Sequence, residues 1–155
     1  GTYDIIFFSD QFLSIAALIS IGCGIATAQT EIKVGIAGPL SGSNLHIGEQ
    51  HEVGAQKAFD HLNDKGGLLG KKIVVTSADD ACNARQAEAV ARQLVSEGVV
   101  FVVGHVCSAA SLAASKIYGK AGIIMISPAS TNPRVTEEGG PNVFRLFVHW
   151  ATFHR

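Results

Sequence analysis

From Glu31 onward, short apolar runs alternate with longer amphipathic segments, and this alternation limits what the chain can fold into. Strands and helices in regular alternation favour a parallel sheet joined by right-handed crossovers. The sequence therefore predicts an α/β fold with a doubly wound parallel sheet of flavodoxin-like order. Strands are predicted at residues 32–37, 72–78, 99–103, 123–126 and 143–147, and helices at residues 49–63, 84–96 and 111–121.

The composition is sufficient for a hydrophobic core and argues against one class of partner. Of the 155 residues, 47% are hydrophobic and 16% are charged, which suits one ordinary domain. The formal net charge is -1, and neither a basic face nor a basic tail is present. Nucleic acid is therefore not expected as a partner.

The first residues of the chain differ from the rest. Residues 12–28 are apolar and end in Ala26-Thr27-Ala28, a pattern typical of a signal-peptide core followed by its cleavage site. We therefore expect residues 1–28 to be a signal peptide-like leader and the protein to be exported to the periplasm. Cys23 raises the alternative of a lipid anchor, but Ser20 stands where such signals usually carry leucine.

The junction after the third predicted strand is the first candidate for a binding site. This strand ends in Gly104-His105-Val106-Cys107-Ser108, close to the start of a predicted helix. Helix N-termini at the carboxyl edge of an open α/β sheet offer unpaired N–H groups to an anion. Ser108 can add a hydroxyl donor from the N-cap position, so we expect a carboxylate here. The alternative is a serine that only caps a structural helix.

Three predicted loops meet at this edge, at residues 38–43, 105–108 and 127–133. They carry hydroxyl groups and backbone donors but few charges, which suits a zwitterion or an uncharged polar molecule better than a phosphate. The first loop lacks the G-x-G-x-x-G pattern of a dinucleotide site, so no cofactor is expected. An enzyme is also not expected, because Ser108 has His105 nearby but lacks the G-x-S-x-G elbow and a matching acid.

Two of the three cysteines, Cys82 and Cys107, each follow a predicted strand, which places both at the same edge of the sheet. In an oxidising compartment two such thiols usually pair. The alternative is two unpaired small core residues. A zinc site is disfavoured, because the cysteines lack a C-x-x-C spacing and His105 is the only nearby histidine. The dispersed histidines are interpreted as surface or structural residues: His46, His51, His61 and His105.

Five short motifs follow one another in a fixed order along residues 31–147. In that order they resemble the amino-terminal lobe of the periplasmic leucine/isoleucine/valine-binding proteins of ABC importers. The resemblance implies that residues 29–147 form a single lobe of a type I periplasmic binding protein. It also implies an amino acid as ligand and, for a full-length protein, an ABC permease of the inner membrane as partner. The motifs are Ile32-Lys33-Val34-Gly35-Ile36-Ala37-Gly38-Pro39-Leu40-Ser41-Gly42, Asn63-Asp64-Lys65-Gly66-Gly67, Asp79-Asp80-Ala81-Cys82, Gly104-His105-Val106-Cys107-Ser108 and Ile126-Ser127-Pro128-Ala129-Ser130-Thr131-Asn132-Pro133.

The resemblance assigns the residues that hold the head of the amino acid. In the family, the carboxylate is bound by the serine after the cysteine and by neighbouring backbone N–H groups, which places it here at Ser108. The threonine and the alanine carbonyl of the fourth-strand loop help to hold the zwitterion, and they fall on Thr131 and Ala129. The site is therefore expected to bind the carboxylate without a buried counter-ion.

The resemblance also assigns the walls of the pocket. Val106 and Cys107 are expected to line it, and the paired cysteines of the family fall on Cys82 and Cys107. The aromatic residue that covers the ligand side chain falls at Ile47, where this sequence departs from the family. An aromatic plate and a branched aliphatic side chain enclose different volumes, so the size of the bound side chain depends on this position.

The family closes two lobes on its ligand, and the second lobe supplies the acidic partner of the ammonium group. The resemblance ends near residue 147, so we expect an aberrant tail at residues 148–155, no second lobe, and weak amino-acid binding. The alternative function within the same fold is a sensing or regulatory lobe that binds amino acids or amides without transport.

Overall fold

A five-stranded parallel sheet forms the centre of the computed structural model, which describes residues 31–147. The strands are β1 (Glu31–Gly38), β2 (Lys72–Asp79), β3 (Phe101–Gly104), β4 (Ile124–Ser127) and β5 (Val143–Arg145). They lie in the order β2-β1-β3-β4-β5 and all pair in parallel, which confirms the predicted flavodoxin-like sheet. The predicted leader at 1–28, the lipid-anchor alternative at Cys23 and the predicted tail at 148–155 lie outside the described residues.

Four α-helices connect the strands, and one of them was not predicted. They are α1 (Leu45–Asp64), α2 (Ala84–Ser96), α3 (Ser108–Ala121) and α4 (Arg134–Gly139). The bounds of α2 are those predicted, whereas α1 and α3 begin earlier than their apolar periodicity indicates. Helix α4 has only six residues, too few to show a helical period in sequence. Within residues 31–147, no helix has both the length and the apolar character that crossing a membrane requires.

Apolar side chains pack on both faces of the sheet. One cluster joins small residues of α2 and α3, such as Ala91 and Ala114, to Val102 and Met125 of the strands. Small side chains let these helices approach the sheet closely. On the opposite face, the Phe59 ring of α1 meets the Phe101 ring edge-on with centroids 6.4 Å apart. Both clusters hold the carboxyl ends of the strands in fixed positions.

The end of β3 requires glycine. Gly104 has a φ of +136°, and a Cβ at this position would lie 2.0 Å from the carbonyl oxygen of Ala37 on β1. A side chain would therefore force the two neighbouring strands apart. β1 and β3 approach each other closely at Gly104, and from there the chain continues directly into the segment that begins at His105.

Helix α2 is capped by Asn83, whose side-chain oxygen accepts a hydrogen bond from the Gln86 N–H at 3.0 Å. We expect Asn83→Ala to lower the free energy of unfolding by about 1 kcal/mol, because that N–H then lacks its acceptor. Urea denaturation followed by circular dichroism measures the loss. Asn83→Asp keeps the acceptor and is the matched control, so a similar loss in both variants would contradict the capping role.

Candidate functional site

Four loops meet at the carboxyl edge of the sheet, each named here by the strand that it follows. They are the β1 loop (39–44), the β2 loop (80–83), the β3 loop (105–107) and the β4 loop (128–133). Parallel strands end at the same edge, so the loops are brought together although they are far apart in sequence. The residues that the sequence assigns to a ligand lie mainly in or directly after the last two.

Ser108 is the first residue of α3, and the prediction that it occupies the N-cap position is wrong by one residue. The N-cap is Cys107, whose backbone is extended, and its carbonyl accepts the Ser111 N–H at 2.9 Å to close the first turn. The Ser108 hydroxyl does not cap its own helix. Its oxygen instead accepts two N–H groups of the β4 loop, from Thr131 at 3.2 Å and from Asn132 at 3.3 Å.

These two hydrogen bonds fix the role of the Ser108 hydroxyl. A serine hydroxyl has two acceptor positions and one proton to donate. Both acceptor positions are filled by N–H groups from the β4 loop, so the hydroxyl can still donate its proton to a further acceptor. The side chain is thus prepared as a hydrogen-bond donor at the N-terminus of α3.

Three buried serines join the β3 loop to the β4 loop. Ser111 and Ser127 both donate to the carbonyl of His105, at 2.7 and 2.6 Å. Ser130 donates to the carbonyl of Val106 at 3.1 Å, and its hydroxyl lies 2.6 Å from that of Ser111. The two loops therefore form one hydrogen-bonded unit. Sequence reasoning assigned no role to Ser111, because its contacts with the His105 carbonyl and the Ser130 hydroxyl arise only in the folded chain.

The residues predicted to hold the amino-acid head lie within this unit. Thr131 is exposed, and its N–H contacts the Ser108 oxygen directly. Ala129 lies two residues earlier in the same loop and is half-buried. The structure thus brings Ser108 and Thr131 together, and it places Ala129 in the same loop.

The predicted wall residues differ in exposure. Val106 is 6% exposed, and its Cγ2 atom would lie 3.1 Å from a Cβ at Gly38 at the end of β1. Cys107 is half-buried. Ile47 is 40% exposed on the first turn of α1, so its side chain is accessible to a ligand or to solvent. The lining of a pocket by these three residues stays a prediction.

Cys82 and Cys107 form a disulfide, as predicted, with their Cα atoms 5.3 Å apart. The bond joins the β2 loop to the last residue of the β3 loop. It lies one residue before Ser108, so it limits the movement of the helix start that carries the hydroxyl.

A buried polar chain lies beneath the disulfide. The Nδ1 atom of His105 is 2.6 Å from Oδ2 of Asp80, and both side chains are fully buried. The other ring nitrogen of His105 lies 3.2 Å from the Tyr118 hydroxyl. Asp80 Oδ1 accepts the N–H of Cys82 at 2.8 Å. His105 is therefore structural, and sequence reasoning gave no role to Asp80 or Tyr118. Burial, with a smaller effect of Asp80, raises the pKa of Tyr118, so its hydroxyl stays protonated at neutral pH.

Asp79 anchors the β1 loop. Its Oδ1 atom accepts the N–H groups of Leu40 and Ala81, each at 2.8 Å, and Oδ2 accepts the Ser41 hydroxyl at 2.5 Å. Burial alone would raise the pKa of Asp79, but the hydrogen bonds from Ser41, Ala81 and Leu40 outweigh it and lower the pKa. The ionised carboxylate holds the loop, and this contribution is lost as the pH falls through the lowered pKa.

The other histidines within residues 31–147 all lie on α1. His51 on α1 is half-buried, and its Nε2 lies 3.2 Å from the Val103 carbonyl. Burial lowers the pKa of His51, although the Val103 carbonyl partly opposes the shift, so its ring is neutral at pH 7. His46 and His61 are exposed on the same helix. Among residues 31–147, no three His, Cys, Asp or Glu side chains lie close enough to hold a metal ion.

A groove of about 820 Å³ lies elsewhere, between α2 and α3. It is lined mainly by small and apolar side chains of these helices, with charged residues such as Arg92 and Lys116 among them. None of the residues predicted to bind the ligand lines it, so we place the candidate site at the loops and not in this groove.

The order β2-β1-β3-β4-β5 and the parallel pairing define the chain as an α/β protein of the doubly wound class. The family model described as "Periplasmic binding protein" matches residues 31–154, so the chain belongs to the periplasmic binding protein family. An amino acid binding protein of Pseudomonas aeruginosa is 45% identical over 134 residues, which are 85% of this chain and 36% of the relative. The leucine-specific-binding protein of Salmonella typhimurium is 40% identical over 131 residues, which are 84% of this chain and 36% of the relative.

Solved structures agree with this assignment. The branched-chain amino acid transporter substrate binding protein LivJ of Streptococcus pneumoniae, solved with isoleucine, superposes with a TM-score of 0.72 at 34% identity. The match covers 77% of this chain and 34% of that protein. The chain therefore spans only about a third of the length of these relatives, which are solute-binding proteins.

Proposed function

We propose that this chain is the amino-terminal lobe of a solute-binding component of an ABC importer. Its ligand is a branched-chain or related amino acid, which the lobe captures by the carboxylate at the N-terminus of α3. The observation that carries this proposal is the Ser108 hydroxyl, which has both acceptor positions filled and a proton left to donate.

The start of α3 offers further donors to a carboxylate. Among the described residues, no side chain caps the first turn of this helix, which leaves its N–H groups as donors for a ligand. The helix dipole favours a negative charge at the same place. A carboxylate bound here exchanges its hydration for backbone N–H groups and the Ser108 hydroxyl, without a buried cationic side chain in direct contact.

The ammonium group is assigned to acceptors of the β4 loop. The Ala129 carbonyl and the Thr131 hydroxyl lie in the loop that also contacts Ser108. Acceptors and donors on neighbouring loops match the opposite ends of a zwitterion. The similarity to a leucine-specific relative and to a protein solved with isoleucine supports an aliphatic side chain on the ligand. We assign Ile47, which is exposed on the first turn of α1, to cover that side chain.

The cellular setting belongs to the same proposal. We assign residues 1–28 to an export leader and residues 29–147 to the lobe, with the periplasm as the location. The names of the relatives support this location and a membrane permease as the partner of the whole protein. The disulfide agrees with an oxidising compartment.

Ser108→Ala is expected to weaken leucine binding by about 1 to 3 kcal/mol, because the bound carboxylate loses a donor that nothing replaces. The dissociation constant is measured by amide chemical-shift titration with leucine, which also detects weak binding. Ser96→Ala is the matched control, since the Ser96 hydroxyl bonds only the Gln93 carbonyl of its own helix. Unchanged affinity in Ser108→Ala would contradict carboxylate capture at this residue.

The same titration tests the ligand class. We expect leucine, isoleucine and valine to shift the amide resonances of Ala109, Ala110 and Thr131 at the start of α3 and in the β4 loop. Acetamide and urea, which lack a carboxylate, should leave them unchanged. Shifts with the amides and none with the amino acids would contradict the proposal and favour an amide-sensing lobe.

A further inference from the structure

Arg145, the last residue of β5, reaches the β4 loop with its guanidinium group. Its Nη1 atom donates to the carbonyl oxygens of Ser130 at 3.2 Å and of Thr131 at 3.0 Å. The side chain is half-buried at the carboxyl edge of the sheet.

The two carbonyls belong to the same peptide units whose N–H groups contact Ser108. The Ser130 carbonyl and the Thr131 N–H are the two ends of one peptide unit. The Thr131 carbonyl and the Asn132 N–H are the two ends of the next. Each unit therefore accepts from Arg145 on one side and donates to the Ser108 oxygen on the other.

We propose that Arg145 is a positioning residue that strengthens the Ser108 hydroxyl as a donor through these two peptide units. A cation at the carbonyl oxygen draws electron density from the peptide and makes its N–H a stronger donor. The stronger N–H bonds in turn polarise the hydroxyl, since hydrogen bonds in a chain polarise one another. The donor is thereby matched to an anionic acceptor.

The charge of Arg145 is not neutralised locally. Among the described residues 31–147, it forms no ion pair, and its Nε atom is buried without a hydrogen-bond partner. Arg134, which follows the β4 loop, differs because its guanidinium is paired with the carboxylate of Glu138. Both cations are close to the β4 loop, but only Arg145 contacts its carbonyls, which makes Arg134 a matched control.

This inference rests on the proposed function for the nature of the ligand. It adds a reason why the site prefers a carboxylate to an amide. A neutral acceptor such as an amide gains less from a polarised hydroxyl than a carboxylate does, because hydrogen bonds to charged groups are the stronger ones. The preference of the site for a carboxylate over an amide should therefore depend on Arg145.

The first experiment needs no ligand. Amide proton chemical shifts of Thr131 and Asn132 are compared between the unmodified chain, Arg145→Gln, Arg145→Lys and Arg134→Gln. We expect both amide protons to move upfield in Arg145→Gln, as their hydrogen bonds weaken, with a smaller change in Arg145→Lys and none in Arg134→Gln. Unchanged shifts in Arg145→Gln would overturn the inference, whatever the ligand of the lobe is.

The second experiment compares leucine with leucinamide, in which the carboxylate is replaced by an amide. In Arg145→Gln we expect the dissociation constant of leucine to rise roughly three- to tenfold and that of leucinamide by less than about twofold. Arg145→Lys should retain part of the preference because it keeps the charge. An equal loss for both ligands would show a merely structural role and overturn the inference. If the unmodified chain binds neither ligand, the proposed function fails, while the amide shifts still judge the role of Arg145.

Discussion

Replacing His105 by alanine is expected to lower the free energy of unfolding by about 3 to 5 kcal/mol, because it leaves the buried Asp80 carboxylate without its partner. Both side chains are fully buried, so water cannot take the place of the imidazole. The Tyr118 hydroxyl loses its contact with the ring as well. Urea denaturation followed by far-ultraviolet circular dichroism measures the effect.

The control for this prediction is His61→Ala, which removes an exposed imidazole from α1. It should change the free energy of unfolding by less than about 0.5 kcal/mol. The loss of stability in His105→Ala can exceed the free energy of unfolding of the lobe, which would leave this variant unfolded. The double variant Asp80→Asn, His105→Gln is therefore measured as well. That double variant removes the buried carboxylate but keeps hydrogen-bonding side chains, so its free energy of unfolding should fall less than that of His105→Ala. Equal stability of His105→Ala and the unmodified chain would contradict the role assigned to the pair.

Opening the Cys82–Cys107 disulfide is expected to lower the free energy of unfolding by about 3 to 4 kcal/mol. The bond spans a sequence separation of 25. Without it, the unfolded chain gains conformational entropy, and this gain accounts for a loss of stability of about this size. The measurement is the urea midpoint with and without dithiothreitol. Leucine affinity should fall in parallel, since the bond holds the residue that precedes Ser108.

A double variant, Cys82→Ala with Cys107→Ala, gives the matched control for this second prediction. Its urea midpoint should equal that of the reduced unmodified chain and should not respond to dithiothreitol. A midpoint of the unmodified chain that is the same under oxidising and reducing conditions would contradict the stabilising role of the bond.

The fold could be predicted because its signal is local and repeated. Alternating apolar runs and amphipathic segments gave the order of elements, and the bounds of α2 agree with its helical periodicity. Helix starts were less accurate, because α1 and α3 begin with residues that do not follow the apolar spacing. The short helix α4 has no period to detect.

The candidate site was predicted only in part, for a physical reason. The loops at the carboxyl edge follow from the fold class, and Ser108 was identified from its place after β3. Its acceptor contacts depend on a backbone 23 residues further along the chain, and no local pattern indicates them. The same is true of Arg145, whose link to the β4 loop exists only once β4 and β5 are paired.

The Asp80–His105 pair also bears on how readily the disulfide forms. The pair joins the β2 and β3 loops without any covalent bond, and in the folded lobe Cys82 and Cys107 have their Cα atoms 5.3 Å apart. Two thiols that non-covalent contacts hold close together meet at a high effective concentration. The buried pair therefore favours the Cys82–Cys107 bond during oxidation.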